Sequence, residues 1–288
     1  MTTTVPAGSV VVGVDGSASA SHAVSWAAAQ AAAERRPLVL AHAAPAPAPA
    51  GTGWMEATGV DHRHVCRMLK EDARALLSEA EKPVRAAHPD LEVHHVIRLG
   101  DPRETLLETS DEAALLVVGT RGLGPIRHLL LGSVSSAMVK HARCPVAVVR
   151  SETGDQSAPV VAGILDLAFR LAEARQLPLR VLHCFWDAVQ VAEGVREVAP
   201  GAPGTDELWR ALDEAVRPHA AAHPGVEVHT RLICGMADER LLQESHDASL
   251  VVIGHRRKPF LNELVYGSIA PLVVERATCS VAVVPLGI

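Results

Sequence analysis

The sequence predicts an α/β fold in two tandem copies, on two observations. It repeats itself at a fixed offset, and within each repeat short continuous apolar runs alternate with helical stretches. Leu115-Leu116-Val117-Val118-Gly119 is answered by Leu250-Val251-Val252-Ile253-Gly254, Gly132-Ser133-Val134 by Gly267-Ser268-Ile269, and Cys144-Pro145-Val146-Ala147 by Cys279-Ser280-Val281-Ala282. His88-Pro89 and Glu92-Val93 return as His223-Pro224 and Glu227-Val228. Each pair lies 135 positions apart (Gly119 and Gly254, Cys144 and Cys279), and chance does not hold one register over so many positions. Upstream the offset widens, to 141 between His42 and His183 and to 150 between Gly13 and Gly163. The second copy is therefore shorter by about nine residues between its first two strands and by about six after the second.

In order along the first copy, residues 9–14 form an apolar run suited to a strand buried on both faces. Residues 17–35 are Ala-rich and helical, and 38–43 are a second buried run. Residues 61–87 read as a long helix, and 91–99 as a strand. Asp101-Pro102-Arg103-Glu104 opens the next helix, with Asp as N-cap, Pro in the first helical position and Glu completing a capping box. A fourth strand at 114–119, a helix at 133–141 and a fifth strand at 145–150 follow. Continuous Val/Leu strands alternating with helices imply a parallel sheet covered on both faces. The domains are thus read as 1–150 and 159–288, joined by a polar linker at 151–158. The Pro/Ala stretch at 43–50 reads as an extended surface loop.

Composition narrows the function. At 288 residues, 48% hydrophobic and 21% charged, the chain fits two globular domains. A net charge of −6 without a basic run argues against a nucleic-acid partner. No apolar stretch approaches the ~18 residues of a membrane span. The first basic residue is Arg35 and Asp15 interrupts the apolar opening, so a secretory leader is not expected. Five cysteines without a C-x-x-C pair fit reduced thiols, and the expected location is the cytoplasm.

The segment with chemical content is Gly119-Thr120-Arg121-Gly122, nine residues, then Gly132-Ser133, running from a strand end to a helix start. Glycine lets backbone lie against a ribose or phosphate and permits positive φ. A helix N-terminus favours an anion, to which the Ser133 and Ser135 hydroxyls can add donors. At the first strand, Val12-Gly13-Val14-Asp15-Gly16-Ser17 places a carboxylate at the sheet's carboxyl edge, where such a group accepts hydrogen bonds from a ribose or base. Either feature alone is ordinary turn or cap chemistry. Together they converge on strands one and four, whose carboxyl ends form a switch-point crevice if the two are adjacent.

The pattern G-x2-G-x9-G-[ST], with V-V-x-V-D-G-S at the first strand, resembles the ATP-binding branch of the universal stress proteins, in the tandem form found in actinobacteria. The resemblance covers nearly the whole chain. It implies two flavodoxin-like (Rossmann-like) domains, each with a five-stranded parallel sheet of order 3-2-1-4-5. It implies ATP, with Mg2+, as the cofactor. Gly13, Val14 and Asp15 would hold the adenosine end, Ala43 would line the adenine pocket, and Val118 and Gly119 would border the nucleoside. Gly122, Gly132, Ser133, Val134 and Ser135 would hold the phosphates. It further implies pairing of fifth strands (146–149 with 281–284) and makes a homodimer of whole chains an expectation.

The second copy departs from the pattern. Arg257 stands where Gly122 aligns, Leu165 where Asp15 aligns, and Asp166 sits one position off. One ATP site, in residues 1–150, is therefore expected, with the second copy retained for packing. The chain lacks G-x4-G-K-[ST], and its Gly-rich segment carries Arg121 and Arg127 but no lysine. His62, His64 and Cys66 lack a second cluster at zinc spacing and read as a solvated helix start. Cys144 and Cys279 read as buried small residues, Leu123, Ile126 and residues 129–131 as packing for the binding loop. Trp26, Trp54, Trp186 and Trp209 fall in different segments and form no stacking platform.

The reading that results is a nucleotide-dependent stress regulator acting on a protein partner the sequence does not name. Phosphates would order the 119–133 loop and bias the surface offered to that partner. The rivals are a slow ATPase or self-phosphorylating enzyme with Ser133 and Ser135 as acceptors, and an interaction module that binds no nucleotide.

Overall fold

The computed structural model describes residues 5–46, 61–120, 131–150, 158–186, 196–256 and 269–286. The chain divides into two compact units, Met1–Val149 and Arg150–Ile288.

In the first unit, β1 (Ser9–Gly13) is the apolar run Val10-Val11-Val12, fully buried. Helix α1 (Ala18–Glu34) begins where Ser17 Oγ accepts the Ala20 N–H at 3.1 Å, and ends at Arg35 in the left-handed region (φ 52°). Its buried residues are mostly alanine (Ala20, Ala23, Ala27, Ala28 and Ala31, beside Val24 and Gln30), side chains small enough to bring the helix close to the sheet. β2 (Leu38–Ala44) leads to α2 (His62–Ala87), capped by Asp61, whose carboxylate accepts the Arg63 N–H at 2.9 Å. β3 (Val93–Leu99) follows. Helix α3 (Pro102–Thr109) is capped by Asp101, which accepts the Arg103 N–H at 2.7 Å with Pro102 in the first turn. The Arg103 guanidinium also pairs with that carboxylate and lowers its pKa to about 2. β4 (Ala113–Gly119), α4 (Ser133–His141) and β5 (Val146–Val149) complete the unit.

The strand order is β3-β2-β1-β4-β5, all parallel. Val11 lies opposite Val39 on one side and Leu116 on the other, so β1 and β4 are neighbours. The chain winds outward from them in opposite directions, which opens a crevice at their carboxyl ends.

The second unit comprises β6 (Val160–Ala162), α5 (Leu165–Arg175), β7 (Leu179–Phe185), β8 (Arg196–Val198), α6 (Asp206–Ala222), β9 (Val228–Cys234), α7 (Ala237–Glu244), β10 (Leu250–Arg256), α8 (Ile269–Arg276) and β11 (Ser280–Leu286). Its order, β11-β10-β6-β7-β9-β8, contains the same five parallel strands. It adds one that the sequence did not predict: β8 pairs antiparallel with β9, Val198 opposite Leu232. Burial of Val198 against Leu232 and Cys234, with Trp209 and Phe185 packed alongside, holds it there. So does Arg231, which pairs with Glu197 of β8 and with the buried Glu244 of α7, itself also bound by Arg180 and Arg240. The first copy has Val96, Thr109 and Val39 at the places of Arg231, Glu244 and Arg180, so this ionic knot belongs to the second copy alone.

All five cysteines are free. Cys144 and Cys279 are buried, and burial pushes both thiols up to about 12. Among the described residues no helix is long and apolar enough to cross a membrane.

Candidate functional site

At the carboxyl edge of the first unit, β1 and β4 border a cavity of about 310 Å3. Its lining includes Gly13, Val14, Asp15, Ala43, Val118, Gly119, Gly132, Ser133, Val134 and Ser135. Ten of the eleven residues singled out in the sequence therefore share one hollow. The eleventh, Gly122, lies outside the described residues, as do Arg121, Arg127, Trp54 and Arg257.

The floor is backbone. The Val14 N–H donates to the Ala41 carbonyl at 2.8 Å, and the Val14 carbonyl lies 2.6 Å from His42 Nδ1. A carbonyl only accepts, so Nδ1 carries the proton. Asp15 Oδ1 accepts the Ser17 N–H at 2.9 Å, which fixes the carboxylate just ahead of α1. An ionised carboxylate has about four acceptor sites, so most of its capacity remains.

The opposite wall is the first turn of α4. Its N-cap, Gly132, is extended (φ −72°, ψ 159°), and the Gly132 N–H donates to the Thr120 carbonyl at 2.8 Å, which ties the start of α4 to the residue after β4. The first intrahelical bond runs from the Ser136 N–H to the Gly132 carbonyl. Helix geometry leaves the N–H groups of Ser133, Val134 and Ser135 without intrahelical acceptors, at the positive end of the dipole. The two serines differ. Ser133 is exposed, whereas the buried Ser135 Oγ donates to the Gly119 carbonyl at 2.6 Å and spends its one proton tying helix to strand.

Two expectations about the glycines change. Gly13, Gly119 and Gly132 have no positive φ; in this region Gly16 does (φ 83°). What Gly119 supplies is proximity to helix α1. A Cβ there would meet Ser19 Oγ and come within 2.9 Å of the Ser19 carbonyl carbon and oxygen. At Gly13 a Cβ would stand 3.1 Å from Leu106 Cδ1 and narrow the cavity.

The sequence reading missed Ala20, Ala41, His42, Pro102 and Leu106 among the lining residues. His42 had a signal, its recurrence as His183. Pro102 and Leu106 had none, because they reach the site through the docking of α3 over β2. His62 and Cys66 meet side by side on α2, with Sγ 3.7 Å from Nε2, while His64 takes a hydrogen bond from Arg67. Among the described residues no group of three or more His, Cys, Asp or Glu could hold a metal ion.

The equivalent place in the second unit has other chemistry. Leu165 begins α5 directly, so the loop that carries Asp15 is missing. Ala270 stands at the position of Ser135 and has no hydroxyl to bond the strand end. A Cβ at Gly254 would meet Leu286 Cδ1 at 2.7 Å and Ile164 Cδ1 at 3.0 Å, so apolar side chains surround the strand end there.

Comparison with known proteins agrees with this architecture. The sequence model of the universal stress protein family matches residues 7–150 and again 161–285. A universal stress protein of Mycobacterium tuberculosis is 32% identical over 295 residues, covering 95% of this chain and 96% of that protein. One from Mycolicibacterium smegmatis is 31% identical over 292 residues, covering 96% of each. The crystal structure of a universal stress protein from Archaeoglobus fulgidus has a TM-score of 0.67 at 17% identity, covering 96% of this chain and 98% of that one, a likeness of fold. The chain belongs to the universal stress protein family and carries two copies of the family's domain in tandem.

Proposed function

We propose that the first unit binds ATP in the β1/β4 crevice and that the protein acts as a nucleotide-dependent regulator, with the second unit taking no nucleotide. The observation that carries this reading is the cavity itself. One hollow of a size usual for small-molecule sites has apolar walls at one end and a helix N-terminus at the other. Val14, Ala41, Leu106 and Val118 suit the base, the Asp15 carboxylate suits the ribose hydroxyls, and the N–H groups of residues 133–135 suit the phosphates. Mg2+ fits as a companion of the nucleotide held by phosphate oxygens and water, since the described lining offers it no carboxylate cluster.

Regulation follows from linkage. ATP shifts the protein between conformations only by its difference in affinity for them, and a partner that reads one conformation then senses the nucleotide. An enzymatic role has less support. Asp15 is the one carboxylate in the described lining, and the Ser135 hydroxyl is already engaged, which leaves Ser133 as the accessible phosphoryl acceptor.

The test is thermal unfolding with and without ATP-Mg, paired with γ-labelled nucleotide. At a hundredfold excess over Kd, a ligand that binds the native state alone stabilises it by about 2.7 kcal/mol, a rise of several degrees in apparent Tm. The labelled nucleotide should be recovered intact and stoichiometric. No rise in Tm contradicts ATP binding, and multiple turnovers contradict the regulator in favour of an ATPase.

A further inference from the structure

We propose that the N-terminal part of α2 is a docking site for an acidic peptide segment of a partner protein. Helices α2 and α6 share the 135-residue register through Leu77 and Leu212, Pro83 and Pro218, and His88 and His223. In that register α6 starts at the equivalent of Glu71, so residues 62–70 of α2 are an extension that the second copy lacks.

The extension carries a stripe of cations. Arg63, Arg67, Lys70 and Arg74 recur at i, i+4, i+7 and i+11, on one helix face and over about 16 Å at 1.5 Å per residue. With His62, Cys66 and Leu99 they line a groove of about 480 Å3, and Arg63, Arg67 and Lys70 are exposed. In the same register Lys70 becomes Thr205 and Arg74 becomes Trp209.

The spacing of these cations carries a cost for folding. Like charges at i,i+4 repel by a few tenths of a kcal/mol, and cations in a first turn oppose the helix dipole. The first turn of α2 contains Arg63 and no acid. Among the described residues Arg63 and Lys70 pair with no carboxylate, whereas further along the helix Lys82 pairs with Glu79 at 2.6 Å and Arg85 with Glu81 at 2.7 Å. A protein of net charge −6 thus gathers positive charge on a segment its own duplicate does without.

The groove favours a peptide over a nucleic acid. Its described lining sets the apolar Leu99 beside the aliphatic stems of the basic side chains, and among the described residues it holds no Phe, Tyr or Trp ring on which a base could stack. A stripe of ~16 Å matches about five residues of extended chain, with carboxylates on the cationic groups and an apolar side chain against Leu99.

Fluorescence anisotropy of a labelled Asp/Glu-rich peptide of about ten residues with a central Leu, titrated with the full chain, tests this. Binding should weaken about tenfold between roughly 50 and 300 mM salt. Arg63→Glu/Lys70→Glu should lower affinity at least about tenfold. Glu near the helix start suits the dipole, and an unchanged circular dichroism spectrum certifies the fold. Arg67→Gln/Lys70→Gln, which only neutralises, should weaken binding in the same direction. No binding at low salt, wild-type affinity in both variants, or tighter binding of a single-stranded oligonucleotide of equal charge overturns the proposal.

Discussion

Gly119→Ala should destabilise the first unit and weaken ATP binding at once. The added methyl would sit 2.9 Å from the backbone carbon and oxygen of Ser19, and backbone cannot rotate aside. Helix α1 must shift from the end of β4. Overpacking of this kind costs about 1–3 kcal/mol, offset by ~0.4–1 kcal/mol from the stiffer unfolded chain. The displaced helix start holds Ser17, whose N–H positions Asp15, so the damage reaches the cavity. The matching change in the second copy, Gly254→Ala, meets only the ends of Leu286 and Ile164, which can turn away. It should cost distinctly less and leave ATP binding unchanged. Denaturant or thermal unfolding of both variants checks the difference. Equal effects would mean that Gly119 is not held by α1.

Asp15→Leu, which copies the second-copy residue, should raise the Kd for ATP by about 10- to 100-fold, the value of hydrogen bonds to a charged acceptor at ~1.5–3 kcal/mol. The fold should survive, because α1 keeps its Ser17 cap and Leu165 stands at this place in the duplicate. Asp15→Asn retains an acceptor for the Ser17 N–H and should fall between wild type and Leu. Calorimetric titration measures all three. Unchanged affinity in Asp15→Leu would remove that residue from the site.

The fold was legible because its signals are local or repeated. The Val-rich run of β1, the cap at Asp101-Pro102 and the constant offset between the two copies each lie in adjacent or matched residues, and the structure has them where expected. Strand β8 was not legible, since it falls where the copies lose register and rests on burial of Val198 beside Leu232. The candidate site was legible at its two motifs for the same reason of locality. Its third wall was not: Leu106 and Pro102 arrive through tertiary docking. The role of Gly119 was misread because the atom that excludes a side chain belongs to Ser19, a hundred residues earlier. A sequence marks where a glycine is needed without naming what comes close to it.

Isothermal titration of the full chain with ATP-Mg tests the central claim most directly. The account predicts saturation at one nucleotide per chain, with affinity about 10- to 100-fold weaker in Asp15→Leu and unchanged in Gly254→Ala. Two nucleotides per chain, or none, would contradict it.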